Sequence, residues 1–168
     1  MSKRIKSLGK GNGKFITIHT NIGENAYVGF KEMLNRSYAV IQLVDYLENQ
    51  GYRVAVTAYT DVKNPGKYKE QSIEFLHLEI TVKNAEEPLN KGLLLTSISP
   101  WFFRIHVFKF WNCKFKMGCG YGSSIEVTYK DTASDIYFRV NSCLTAEASN
   151  TYVKNMKNKF EEDKDNVE

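Results

Sequence analysis

Apolar and polar positions change period along the first third of the chain, and this change predicts a strand, a helix and a second strand. Residues 15–19 (FITIH) form a β-branched run that is typical of a strand. Apolar side chains at three- and four-residue spacings over residues 32–50 predict a long amphipathic helix, which Gly51 can end in the left-handed conformation. Residues 52–59 predict a second strand, parallel to the first because a helix connects the two in a right-handed crossover.

The remaining patterns extend this unit to a complete α/β domain. Pro65 and Gly66 predict a turn within residues 61–67. Residues 72–82 then alternate with period two, which predicts a third strand, antiparallel to the second and at the sheet edge. A helix follows over residues 89–110, either continuous or divided at Pro100. The rest of the pattern predicts a glycine-rich loop at 112–124, short strands at 125–129 and 135–140, and a final helix at 144–159.

A chain of 168 residues suits one domain with a normal core. We expect a single α/β domain over residues 14–160, with a mostly parallel sheet, an antiparallel edge strand and three or four helices. The basic, glycine-rich residues 1–13 predict a flexible arm, and residues 161–168 predict a charged, disordered tail.

Composition narrows the functional classes only slightly. A net charge of +4 permits contact with nucleic acid or acidic partners without requiring it. The three cysteines form no even disulfide framework, which favours a reducing cytoplasm. The first residues lack the apolar core of a secretory signal, and charged residues interrupt the most apolar stretch, 93–111, so we expect no membrane segment.

A polar loop at residues 20–25 (TNIGEN) follows the first strand. The carboxyl ends of parallel strands are where open α/β sheets usually bind their ligands. The loop side chains that offer oxygen or amide groups are therefore the predicted binding residues: Thr20, Asn21, Glu24 and Asn25.

Three stretches of the chain resemble von Willebrand factor A-like domains, and in particular an uncharacterised bacteriophage protein family with that fold. They are the loop at 20–23 (TNIG), the helix and strand at 36–54 (RSYAVIQLVDYLENQGYRV), and residues 134–138 (SDIYF) before a helix. The resemblance implies a Rossmann-like order of elements. It also implies a phage-encoded protein, located in the virion or the host cytoplasm, that binds a viral or host protein.

Metal chemistry is not expected. The A-type domains hold their metal with an Asp-x-Ser-x-Ser motif after the first strand, and the matching residues 19–23 (HTNIG) or 20–24 (TNIGE) lack the leading aspartate. A zinc site formed by His106, Cys113 and Cys119 is disfavoured, because structural zinc ligands are usually paired more closely. We therefore predict no metal and no cofactor.

Residues 101–111 (WFFRIHVFKFW) interleave aromatic and cationic side chains, which permits an alternative function. Aromatic rings can stack on unpaired bases while cations hold phosphates. The same pattern also fits a core helix whose charged side chains reach outward. The candidate nucleic-acid contacts are Lys3, Arg4, Lys6, Lys10, Lys14, Arg104, Lys109, Lys114 and Lys116.

The sequence contains no nucleophile elbow and no histidine–glutamate pair at metal-binding spacing. We therefore expect a non-catalytic protein-binding module, with a nucleic-acid-binding accessory protein as the alternative.

Overall fold

The computed structural model describes residues 15–117, 122–125, 127 and 135–165, with side chains to residue 162. Within these residues, one domain is built from a six-stranded mixed sheet and four α-helices. The elements in chain order are β1 (Phe15–Asn21), α1 (Phe30–Asn49), β2 (Arg53–Tyr68), β3 (Gln71–Lys83), α2 (Lys91–Ser97), a π-helical segment (Phe102–Val107), α3 (Phe108–Lys114), β4 (Lys116–Met117), β5 (Ser123–Ser124), β6 (Asp135–Phe138) and α4 (Ala146–Asp165).

The long strands lie in the order β3-β2-β1-β6. The central strand β1 is parallel to β2 on one side and to β6 on the other. The edge strand β3 is antiparallel to β2, so the predicted parallel crossover and antiparallel edge are both confirmed. The short strands β4 and β5 pair with the distal half of β2.

The core lies between the helices and one face of the sheet. Alternate residues of the parallel strands, such as Ile18, Val56 and Ile136, are fully buried on this face. They form one cluster with the apolar side of α1, where Val40 and Val44 are also fully buried. The predicted amphipathic helix is therefore confirmed, and its apolar stripe is the part that packs on the sheet.

Gly51 ends α1 as its sequence position predicted. Its φ angle is +84°, in the left-handed region that glycine adopts without a side-chain clash. The Gly51 amide donates to the Glu48 carbonyl at 3.0 Å, and the Tyr52 amide donates to the Leu47 carbonyl at 3.0 Å. These two bonds form the Schellman arrangement and lead the chain directly into β2.

The predicted turn at residues 61–67 is wrong. Strand β2 continues through Pro65 and Gly66, where a register shift against β3 accommodates the missing proline amide. The turn instead lies at Lys69 and Glu70, whose φ angles are 48° and 68°. Two left-handed residues in succession match the right-handed twist of the flanking strands, so β2 and β3 form one long hairpin.

Pro100 divides the predicted helix, because α2 ends at Ser97 and a new helical run begins at Pro100. The predicted loop at 112–124 is partly wrong, since its first residues complete α3 and others form β4 and β5. The predicted strand at 125–129 falls mostly outside the described residues, and Ile125 and Val127 do not belong to a strand.

The chain ends also differ from expectation. Strand β6 is shorter than predicted, whereas α4 extends to Asp165 and includes residues expected in the disordered tail. The predicted arm at 1–13 and residues 166–168 lie outside the described part of the chain. Among the described helices, none is both long and apolar enough to span a bilayer.

Candidate functional site

The predicted binding loop lies at the carboxyl edge of the parallel strands, but most of its side chains are buried. Thr20 and Asn21 belong to β1 and are buried, and Glu24 in the following loop is buried as well. Asn25 is half-buried, and its Oδ1 accepts a hydrogen bond from the Ser124 amide at 3.2 Å. These residues therefore do not form the exposed polar loop that the sequence predicted.

A buried arginine from α1 explains why the edge is closed. The Arg36 guanidinium forms an ion pair with Glu24, and both side chains are almost fully inaccessible. Arg36 Nη1 also donates to the Asn21 carbonyl at 2.7 Å, and Nε donates to the Ser142 carbonyl at 3.0 Å. Because Asn21 is the last residue of β1 and Ser142 follows β6, Arg36 ties together the ends of two adjacent parallel strands. We call this arrangement the Arg36 clasp.

The Arg36 clasp lies where ligands usually bind in this class of sheet. The chain leaves β1 toward β2 on one side, while β6 joins β1 from the other side, so the strand order reverses between β1 and β6. At this switch point Glu24 Oε1 also accepts the Asn141 amide at 3.0 Å. The protein's own ion pair thus takes the position in which a bound ligand would be expected.

Gly23 shows how tightly this edge is packed. A Cβ atom added at Gly23 would lie 2.0 Å from Thr60 Oγ1 and 3.2 Å from Phe103 Cζ. Only a residue without a side chain fits between these groups. Within the described residues, no group of three or more histidine, cysteine or acidic side chains is placed to hold a metal ion.

The other face of the sheet carries five titratable side chains that the sequence analysis did not connect. They contact one another in a chain that crosses the sheet from β6 to β2, and we call them the histidine–carboxylate network: His19, Asp61, His77, Glu79 and Asp135.

Each histidine of this network lies between two carboxylates. His77 Nδ1 is 2.7 Å from Asp61 Oδ1, and His77 Nε2 is 3.5 Å from Glu79 Oε2. His19 lies 3.6 Å from Glu79 and 3.5 Å from Asp135, so Glu79 is shared between the two rings. The His19 ring also stacks on Tyr137 with the ring centroids 4.4 Å apart, which fixes its orientation.

These contacts change the protonation of His77. Partial burial opposes its protonation, but the hydrogen bond and charge of Asp61, and then those of Glu79, outweigh that effect and raise the pKa of His77. On the same strand as Asp61, burial and the Asp61 charge raise the pKa of Tyr59, which keeps its hydroxyl protonated. These contacts therefore favour the protonated form of His77 and link β3 to β2.

A third region exposes large apolar side chains. Around the start of α1 and the π-helical segment, the exposed fractions are 79% for Tyr27, 40% for Phe30, 62% for Trp101 and 47% for Ile105. The Phe30 and Trp101 rings meet edge to face, with their centroids 6.1 Å apart. We call these four residues the aromatic surface.

The aromatic surface rests on a well-packed support. Phe103, Val107 and Trp111 recur at four-residue spacing on the opposite side of the same helical run, and all three are buried. The Arg104 guanidinium donates to the Val28 carbonyl at 2.8 Å, which joins the π-helical segment to the loop before α1. The predicted core helix with outward charges is therefore correct for part of this stretch, while Trp101 remains exposed.

The structure describes four of the candidate nucleic-acid contacts, and they differ in whether an acidic side chain pairs with them. Arg104, Lys109 and Lys114 are exposed, whereas Lys116 is exposed but forms an ion pair with Glu70. The five candidate contacts near the amino terminus lie outside the described residues: Lys3, Arg4, Lys6, Lys10 and Lys14.

Sequence reasoning missed Arg36 and the histidine–carboxylate network for different reasons. Arg36 lies next to the apolar residues of a helix, and a long cationic side chain there usually extends into solvent. His19 and His77 occupy alternate, polar positions of their strands, a signal that places each on the wetter face. The strand order, which puts the two histidines on either side of Glu79, is not visible in that signal.

The fold and the site define a class of protein: a single mixed α/β domain whose sheet edge is closed internally and whose apolar side chains are exposed elsewhere. A family model described as "Domain of unknown function (DUF7192)" matches residues 1–164, so the chain belongs to this family. No curated protein and no solved structure matches the chain.

Proposed function

We propose that this domain is a non-catalytic protein-binding module that contacts its partner through the aromatic surface. The observation that carries the proposal is the exposure of Trp101 and Tyr27 on a rigid support. Tryptophan, tyrosine and arginine are the residues that most often dominate the binding energy of protein interfaces. The sequence predicted binding at the carboxyl edge of the sheet. Because the Arg36 clasp fills that edge, we propose the aromatic surface as the interface instead.

Rigidity supports this choice of surface. Association loses free energy when mobile side chains must be ordered, at about 0.5–1.5 kcal/mol for each rotamer-rich side chain. Trp101 and Phe30 already contact each other, and Arg104 already fixes the loop that carries Tyr27. A partner would therefore meet aromatic rings whose positions are largely set before binding.

Charge indicates the chemistry of the partner. The segment 89–125, which contains Trp101 and Ile105 of the aromatic surface, has no aspartate or glutamate. Lys31 and Arg104 are exposed beside the surface. We expect a protein partner that offers apolar side chains to the aromatic rings and carboxylates to these two cations.

The resemblance of residues 20–23, 36–54 and 134–138 to von Willebrand factor A-like domains and to a bacteriophage family supports a more specific proposal. We propose a von Willebrand factor A-like domain that is phage-encoded, located in the virion or the host cytoplasm, and bound to a viral or host protein. The strand order β3-β2-β1-β6, with its antiparallel edge strand, supports the fold part of this proposal.

Site-specific photo-crosslinking in the cells that produce the protein tests the proposed interface. A photoreactive phenylalanine analogue replaces Ile105 in one variant and Tyr38, an exposed residue further along α1, in the matched control. We expect a discrete protein adduct at position 105 that survives nuclease treatment and is absent at position 38. Equal adducts at both positions, or none at position 105, would reject the aromatic surface as the interface.

Single-stranded nucleic acid is the second candidate ligand, because Trp101 and Phe110 are exposed on the same helical run as Arg104 and Lys109. Its test is the salt dependence of binding to a labelled single-stranded oligonucleotide. Each neutralised phosphate releases counterion, so affinity must fall steeply with salt if phosphates are held. Neutralising Lys109 and Lys114 must then reduce both the affinity and its dependence on salt.

Neutralising Lys3, Arg4 and Lys6 tests the contribution of the arm in the same assay. Tight, salt-sensitive binding that these substitutions abolish would favour the nucleic-acid function over the protein-binding one.

A further inference from the structure

The outer edge of β3 is long, and no strand of the described part of the chain pairs with it. This strand is thirteen residues long and pairs only with β2 among the described residues. Natural edge strands usually carry proline, lysine or a bulge that prevents pairing with another chain. Between Gln71 and Val82, β3 contains neither proline nor lysine, and the register shift on its own side lies at its carboxyl end, between Thr81 and Lys83.

The side chains of β3 also suit pairing with a strand of similar pattern. Leu76, Leu78 and Ile80 lie on the core side of the sheet and remain partly exposed at the edge. His77 and Glu79 lie on the other side, where they are the charged or titratable residues nearest the middle of the strand. A partner strand must therefore offer apolar residues on one face and a complementary pair on the other.

We propose that β3 pairs antiparallel with β3 of a second copy of this chain, and that the two sheets join across a twofold axis at Leu78. In this register Leu78 faces its own counterpart, while Leu76 faces Ile80 of the second copy. His77 of each copy faces Glu79 of the other. Apolar pairs and opposite-charge pairs directly across two strands each stabilise a sheet.

The two neighbouring registers that keep the two faces aligned are less favourable. A shift that centres the axis on His77 places two histidines opposite each other, and a shift that centres it on Glu79 places two carboxylates opposite each other. Like charges directly across a pair of strands are destabilising. A shift of the axis by a single residue thus removes the match at His77 and Glu79, so the Leu78 register is favoured over both of its neighbours.

This inference concerns a surface separate from the aromatic surface, because β3 and the π-helical segment are different elements on different parts of the chain. A dimer formed through β3 presents two copies of the aromatic surface to a partner. It would increase binding through avidity if the partner also has repeated sites.

Single-cysteine crosslinking tests both the dimer and its register. In a background where Cys113, Cys119 and Cys143 are replaced by serine, Leu78→Cys places one thiol at the proposed axis. Directly opposed residues in antiparallel strands have Cα atoms about 4.5–5.5 Å apart, within the range of a disulfide. We expect Leu78→Cys to form a disulfide-linked dimer under mild oxidation.

Ser72→Cys is the matched control, since the same register separates its two copies by about 40 Å at about 3.4 Å per residue. Equal crosslinking of both variants would indicate random collision and overturn the proposal. Sedimentation equilibrium of the unmodified protein provides the second measurement, with a dimer expected at high concentration. A monomer at every concentration tested would also overturn it, and because neither measurement involves the aromatic surface, failure here leaves the proposed function unaffected.

Discussion

The carboxyl edge between β1 and β6 and the aromatic surface both depart from the burial that their residue types predict. The edge is made of polar residues, yet Glu24 and Arg36 are buried there and form an ion pair. The aromatic surface is made of apolar residues, yet Trp101 and Tyr27 remain largely exposed. A buried polar group and an exposed aromatic group are the two informative departures from ordinary burial. The first stabilises this domain internally, and the second leaves a surface available for contact.

Breaking the Arg36 clasp should give the largest effect. We expect Arg36→Met to lower the free energy of unfolding by about 3–5 kcal/mol, because it leaves the Glu24 carboxylate buried without its cation. Urea denaturation of the purified variant measures this change. The double variant Arg36→Met with Glu24→Gln should recover part of the loss, since it removes the unpaired charge. A loss below about 1 kcal/mol in the single variant would mean that the clasp is solvated.

Adding a side chain at the same sheet edge should lower the free energy of unfolding by a smaller amount. We expect Gly23→Ala to destabilise the protein by about 1–3 kcal/mol, because the new methyl group would collide with Thr60 and Phe103. Gly92→Ala in α2 is the matched control, because the nearest atom to its added Cβ is Asn90 Oδ1 at 3.6 Å. That control should be neutral or stabilising by up to about 1 kcal/mol, as alanine favours helix. Similar losses in both variants would refute tight packing at the edge.

The aromatic surface should contribute little to folding. We expect Trp101→Ala to change the free energy of unfolding by only about 0.5 kcal/mol, as is usual for exposed positions. Trp111→Ala, at a buried position on the same helical run, should cost about 3–5 kcal/mol. Thermal or urea unfolding of the two variants gives the comparison. A large loss for Trp101→Ala would show that this ring is part of the core, and would remove the main support for the proposed interface.

Stability should also depend weakly on pH through His77. Its folded-state pKa is raised above the ordinary value of 6.5, so its stabilising contribution is complete below that value and is lost as the pH rises through the folded pKa. We expect unfolding free energies measured from pH 6 upward to decrease in the wild-type protein and to vary less in His77→Gln. The control His106→Gln alters an exposed histidine outside the network and should keep the wild-type profile.

Much of the fold was predictable because it depends on local sequence patterns. The apolar stripe of α1, the left-handed Gly51 and the alternation of β3 each depend on neighbouring residues, and the structure confirms each. The turn at Pro65 was predicted wrongly because a bulge lets proline remain within a paired strand. The candidate site was less predictable, since the burial of Asn21 and Glu24 depends on a residue of another element.

The sequence by itself therefore determined the elements from β1 to β3, the parallel crossover and the antiparallel edge. These follow from periodicity and from the chirality of the chain, which act over short distances. Only the tertiary structure decided which polar groups are buried, because Arg36, Glu24 and Ser142 lie in separate parts of the chain and meet only in the folded domain. It likewise decided that His19 and His77 share Glu79 and that Trp101 stays exposed while Trp111 does not. Those outcomes depend on which elements lie side by side, and no local pattern contains that information.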